Sequence, residues 1–333
     1  MAGPPTKAPT LVRSDKTAQG GGVGTEGHES RLTVLVALGA NLAIAVAKSG
    51  AALLTGSASM VAEAAHSFAD MGNGIFLLVA QRRSRQPADQ EHPHGHGREA
   101  YVWSMFAAVG LFAVGAGISL SHGITELLNP APAQHFLVAY TVLAVAFILE
   151  GLSFVQAARQ ARYEAHKADH DLLEHVLATS DPTLRAVFAE DAAALIGLLI
   201  AFAGVGLHQL SGSALPDAIG SILVGCLLGV VSLVLMDRNR RFLVGEAVEP
   251  RLREAALARL LEEAQVQDVT YLHLEYSGPR QVSLVARVDL VADHPESQVA
   301  SALAEIERRL ENITVVGSAL LAPAHPGSTP LPR

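Results

Sequence analysis

Apolar positions in this chain gather into long runs rather than short alternations. They cover roughly residues 32–55, 58–80, 101–124, 136–157, 186–207 and 215–236, each close to the roughly 20 residues that cross a hydrocarbon core. The pattern predicts six membrane-spanning helices. The connectors alternate in charge. Arg82, Arg83, Arg85 and Arg98 follow the second run, Arg159, Arg162, Lys167 and Arg185 the fourth, and Arg238, Arg240 and Arg241 the sixth. The connectors near Gly56–Ser59, Asn129–His135 and Gln209–Ser213 carry no Lys or Arg. Basic connectors stay on the cytoplasmic side, so both termini are expected there. Beyond Gly245 the period changes. Residues 250–264 and 295–311 read as amphipathic helices, and 267–276, 280–290 and 313–321 as strands, the first two joined by the Ser277-Gly278-Pro279 turn. The order αββαβ predicts a ferredoxin-like α+β domain. The expected division is a disordered cytoplasmic tail at 1–31, a six-helix transmembrane domain at 32–241, a cytoplasmic ferredoxin-like domain at 242–322 and a flexible tail at 323–333.

Composition agrees with a bilayer as solvent: half of the 333 residues are hydrophobic and 17% are charged, too apolar for an ordinary soluble domain. The net charge of −8 points to no nucleic-acid partner. The one cysteine, Cys226, rules out an internal disulfide and a CxxC site, and reads as a packing residue. Residues 1–30 are rich in Gly, Thr and Pro without a continuous apolar stretch, unlike a signal peptide. No GxxxxGK[ST] stretch is present to bind nucleotide, and no nucleophile and base pair suggests an enzyme.

The polar residues inside the apolar runs carry the candidate chemistry. His66 and Asp70 lie four apart in AEAAHSFAD and so share one helical face. Glu190 and Asp191 interrupt the fifth run. Counting helical rise, Asp70 and Asp191 lie roughly 15 Å and roughly 12 Å from the inner boundary, at similar depth. An Asp at such a depth costs about 2.5 to 3.5 kcal/mol on insertion scales, and a shared cation site explains several at once. Imidazole plus carboxylates without thiolate suits Zn²⁺ and also admits Mn²⁺, Fe²⁺ or Co²⁺. Glu63 and Glu150 are further intramembrane carboxylates that can relay protons or pair with Lys48, which otherwise snorkels to the outer interface. Asp217, after Pro216, is expected to cap the sixth helix. His166, His170 and His175 read as a solvated helix face, and no metal is assigned to His273 or His294.

The TGSASMVAEAAHSFAD entry to the second span, the HPHGHGRE stretch before the third, the PDAIGSILVG run in the sixth and the αββαβ tail together resemble the cation diffusion facilitator family, over about residues 32–322. The resemblance implies a homodimer that exports divalent metal from the cytosol in exchange for protons, with no permanent cofactor, the metal being the substrate. It implies ligands at His66, Asp70 and Asp191. The fourth family position is occupied by Val187, which leaves Glu190 or water to complete the shell. The Glu190-Asp191 pair resembles a branch of the family with Glu-Asp on its fifth span. The family also implies a second metal site at Asp89, His92 and His96, and an ion pair between Arg98 and Asp237 near the dimer seam. A multi-pass protein of the plasma (inner) membrane is the expected setting, and a membrane-anchored metal sensor without flux is the alternative reading.

Overall fold

A computed structural model of the chain describes residues 26–130, 133–168, 170–293 and 295–332. The expected disordered tail lies outside the described residues up to residue 25, as does His294. Residues 26–31 belong to the first helix instead. The chain divides into two compact units, one of residues 23–85 and 99–243, the other including 86–98 and 244–333.

The first unit is helical: α1 (Glu26–Thr55), α2 (Ala58–Ser84), α3 (Glu99–Gly110) continuing through a π-helical segment (Leu111–Ala116) into α4 (Gly117–Leu128), then α5 (Phe136–Ala168), the short α6 (Leu172–Ala178), α7 (Pro182–Ser211) and α8 (Leu215–Val244). Local chemistry sets the ends. Asp181 accepts from the N–H groups of Thr183 and Leu184 ahead of Pro182, and Gly212 closes α7 in the left-handed region at φ 70°. Five helical stretches among the described residues are long and apolar enough to cross a membrane: α1, α3 through α4, α5, α7 and α8. The expected sixth, α2, is less apolar because it carries Glu63, His66 and Asp70, and it packs against α1, α3, α4 and α7. Helix α5 ends before His170, so His166 and His170 do not share a helix face, and His175 is ion-paired with Glu164 at 3.7 Å. Cys226 is exposed on α8 rather than packed inside.

Small residues let the spans approach closely, as packing without a hydrophobic driving force requires. A Cβ on Gly225 would lie 2.9 Å from the Leu120 backbone nitrogen, and one on Gly123 3.0 Å from the Ala218 carbonyl. Thus α4 and α8 meet backbone to backbone.

The turn between α1 and α2 is fastened by a residue far away in sequence. Asp217, in the first turn of α8, does not cap its own helix. Its carboxylate accepts from the Ser57 hydroxyl at 2.9 Å and from the backbone N–H groups of Ala58 at 2.8 Å and Ser59 at 3.2 Å. It therefore caps the N-terminus of α2, where a negative charge meets unpaired N–H groups and the positive end of the helix dipole. Asp217→Ala leaves three buried donors unsatisfied, and thermal unfolding in detergent should show a loss of about 3 kcal/mol.

The second unit contains α9 (Pro250–Leu261), β1 (Val266–Gly278), β2 (Gln281–Leu290), α10 (Glu296–Glu311) and β3 (Val316–Pro323). Its sheet has the order β1-β2-β3, with β1 antiparallel and β3 parallel to β2. Alternate residues Val282, Leu284, Ala286 and Val288 of the central strand are buried against Leu257, Leu260, Ile306 and Leu310 of the two helices. This is the arrangement that the alternation of polar and apolar residues foretold. The segment after β3 is not loose: Leu331 donates its N–H to the Val269 carbonyl at 2.8 Å and packs on the same core. The outer edge of β3 is occupied by side chains, because Glu307 accepts from the Leu321 N–H at 2.7 Å and Glu311 from the Ala319 N–H at 3.2 Å.

Candidate metal centres

On α2, Glu63, His66, Asp70 and Asn73 follow one another at spacings of three and four, so one stripe of the helix carries these four polar side chains. His66 is fully buried. Its Nε2 lies 3.4 Å from Asp70 Oδ2 without hydrogen-bond geometry, and both ring nitrogens are unpartnered. Asp70 Oδ1, Asn73 Oδ1 and Glu190 Oε1 are likewise buried without a partner. Buried polar atoms almost always find a partner, so this concentration marks a place built for a polar or charged guest.

Helix α7 brings Glu190 and Asp191 to different neighbours. Glu190 is buried and accepts from the Asn73 side-chain amide of α2. Asp191 accepts from the Ser153 hydroxyl of α5 at 2.8 Å. Their offset of roughly 100° around the helix is what consecutive positions impose. The Glu expected only as a substitute therefore faces α2, and the Asp expected there is turned toward α5. His66, Asp70 and Asp191 lie in one polar region but do not draw their donor atoms into a single tight shell.

Among the described residues, one group of three does so: Asp89, His92 and His96, whose ligand atoms all lie within 4.8 Å of one another. The Asp89 carboxylate lies 3.0 Å from His96 Nε2 and 3.3 Å from His92 Nδ1, and the two rings are 4.1 Å apart between centroids. Backbone N–H groups of Glu91 and His92 also donate to Asp89, at 2.9 and 2.6 Å. The hydrogen bond to His96, then the one from the His92 backbone, hold its carboxyl down at about 2. These bonds favour its ionised form. Two imidazoles and a carboxylate are the donor types that a tetrahedral Zn²⁺ site takes, and these three lie close enough together to share one ion. Asp89→Ala should lower zinc bound at this loop by at least about tenfold, read by calorimetry against the parent protein.

This loop, residues 86–98, belongs to the second unit. A Cβ on Gly97 would collide with the Ser277 carbonyl oxygen, so the close approach to the β1–β2 turn admits only glycine. The next residue, Arg98, pairs with Glu275 of β1. Asp237 pairs with Arg240 at 2.8 Å and Arg241 at 3.0 Å along its own helix. Both charges expected to meet each other thus have partners within their own units.

A search of protein families matches residues 34–244 to the cation efflux transmembrane domain. The chain belongs to the cation efflux family. Relatives of this cation efflux protein include the mitochondrial proton-coupled zinc antiporter SLC30A9 of Xenopus laevis, 35% identical over 71% of this chain and 42% of the relative. Metal tolerance protein C4 of Arabidopsis thaliana is 32% identical over 79% of this chain and 57% of its own length. The manganese efflux system protein MneP of Bacillus subtilis is 27% identical over 75% and 80%. The chain thus spans about half the length of the first two, and most of the length of the third.

Asn73 and Ser153 are the residues of this region that sequence reasoning passed over. Their signal was positional: Asn73 lies seven after His66, two turns along the same stripe, and Ser153 three after Glu150.

Proposed function

We propose that this protein exports divalent metal, Zn²⁺ first and Mn²⁺, Fe²⁺ or Co²⁺ as alternatives, by alternating access in exchange for protons. The site is formed by His66, Asp70 and Asp191, with Glu190 as fourth ligand. The observation that carries the reading is the set of buried, unpartnered donor atoms on His66, Asp70 and Glu190 between α2 and α7. An imidazole and carboxylates without thiolate suit those ions. Metal and protons compete for the same lone pairs, since each ligand must be deprotonated to bind. A more acidic outer side therefore favours release, with no nucleotide. The printed activities of the relatives, proton-coupled zinc antiport and manganese efflux, support the same class. In this reading the protein is a homodimer of the plasma (inner) membrane with both termini inside.

The test is the full chain reconstituted in vesicles with an imposed pH gradient and a zinc-sensitive dye. Zinc movement that follows the gradient supports the proposal; tight binding with no movement replaces it with a membrane-anchored sensor.

A further inference from the structure

Five residues after the N-terminus of α2, and one turn before His66, lies Glu63, which is fully buried. Its carboxylate is 2.9 Å from the ammonium of Lys48 on α1, and the same ammonium is 2.8 Å from Glu150 on α5. Lys48 is fully buried and Glu150 nearly so. Each carboxylate gives Lys48 one oxygen and keeps another, Glu63 Oε1 and Glu150 Oε2, buried without a partner. Glu63 Oε1 lies against the backbone of α7, where a Cβ on Gly197 would come within 2.7 Å of it.

Two facts about this cluster decide its chemistry. Its formal charge is −1, two carboxylates against one ammonium, with Lys48 and Glu63 fully buried, and an uncompensated buried charge is expensive. One proton on either free oxygen removes it. A second divalent ion cannot take the proton's place, because the Lys48 ammonium already lies between both carboxylates. Position adds the rest. Along α2 the cluster stands between the metal ligands and the α1–α2 turn. Along α5, Glu150 precedes by one turn the Ser153 that holds Asp191. The charged and titratable groups near it are His66 and Asp70 from α2 and Asp191 from α7.

We propose that Lys48, Glu63 and Glu150 form a proton-loading station distinct from the metal ligands, which accepts protons and refuses the metal. The idea rests on the transport reading above and adds the place where one exchanged proton resides. When a divalent ion arrives among His66, Asp70, Glu190 and Asp191, its charge favours the ionised carboxylate nearby. The carboxyl O–H bond then breaks and the proton leaves to the aqueous side that supplied the metal. When the metal departs on the other side, a proton from that side restores the O–H bond. Glu63 and Glu150 are therefore positioning and proton-carrying residues rather than ligands.

The experiment measures the steady-state zinc ratio across vesicles as a function of the pH difference, with the membrane potential clamped at zero. Each coupled proton multiplies that ratio by about tenfold per pH unit, so the slope of its logarithm counts protons. Glu63→Gln and Glu150→Gln each leave one carboxylate paired with Lys48, a neutral cluster with no need of a proton. Both variants should lose about one unit of slope, a tenfold smaller ratio per pH unit, while zinc affinity at alkaline pH is kept. A purely structural role would slow flux without changing the slope, and an unchanged slope in both variants overturns the station. If the parent protein itself moves no zinc, the transport reading falls. Calorimetry of zinc binding in buffers of different ionisation enthalpy then decides the station alone. About one proton fewer released in each variant than in the parent supports it, and an equal count overturns it.

Discussion

Asp70→Ala should abolish proton-driven zinc flux while the protein stays folded, and Asp191→Ala should do the same. Each change deletes an anionic oxygen donor, and metal affinity should fall by at least about 100-fold, beyond the usual loss of an outer hydrogen-bond partner. Stability should move the other way or not at all. An intramembrane carboxylate costs about 2.5 to 3.5 kcal/mol to place, and alanine removes that cost. Asp70 Oδ1 has no hydrogen bond to lose, and Asp191 gives up the one from Ser153. Vesicle flux and thermal unfolding of the same preparations check both halves, and parent-like flux in either variant removes that residue from the site.

Exchanging His66 for Asp should change which metal is preferred. Neutral imidazole favours a borderline ion such as Zn²⁺ over the harder Mn²⁺, whereas carboxylates accept both. His66 is the one imidazole in this buried stripe of α2, so it carries the discrimination. His66→Asp replaces that imidazole with a hard anionic donor. Manganese transport should rise relative to zinc, and competitive uptake of the two ions into vesicles measures the ratio. An unchanged ratio means that the site is built from oxygen donors alone.

Much of this architecture was legible in the order of residues because a bilayer permits so few solutions. A chain that must satisfy every backbone group inside hydrocarbon runs as helices or closed barrels, and apolar stretches of about 20 residues fit the helix, so they reported the spans directly. The soluble domain was legible for a different reason: Val282, Leu284, Ala286 and Val288 alternate with polar neighbours, and only a strand buries such a set. His66, Asp70 and the Asp89 loop were conspicuous through their cost in apolar surroundings or their local spacing. The pairing of Lys48 with Glu63 and Glu150 was foreseen as one of two options, and the structure forms it.

What stayed hidden depends on rotation and on distance along the chain. Glu190 and Asp191 are both polar and adjacent, and only the setting of α7 in the bundle decides which of them faces α2. Asp217 fastens Ser57, 160 residues earlier, a bond that no local motif reveals. An Asp after a Pro looks like the cap of the helix that follows. Asn73 and Ser153 carry no formal charge, so nothing marked them until Glu190 and Asp191 were seen to take their hydrogen bonds.

The carboxylates that cover β3 also bear on how two copies of the C-terminal unit could meet. An open strand edge invites a second chain to continue the sheet, yet here the Ala319 and Leu321 N–H groups are taken by Glu311 and Glu307 of α10. The strand ends in Pro323, which has no N–H to offer. Growth of the sheet by adding a neighbour's strand at β3 would first have to strip both carboxylates from the backbone. Strand addition at this edge, with its hazard of open-ended polymer, is thereby disfavoured.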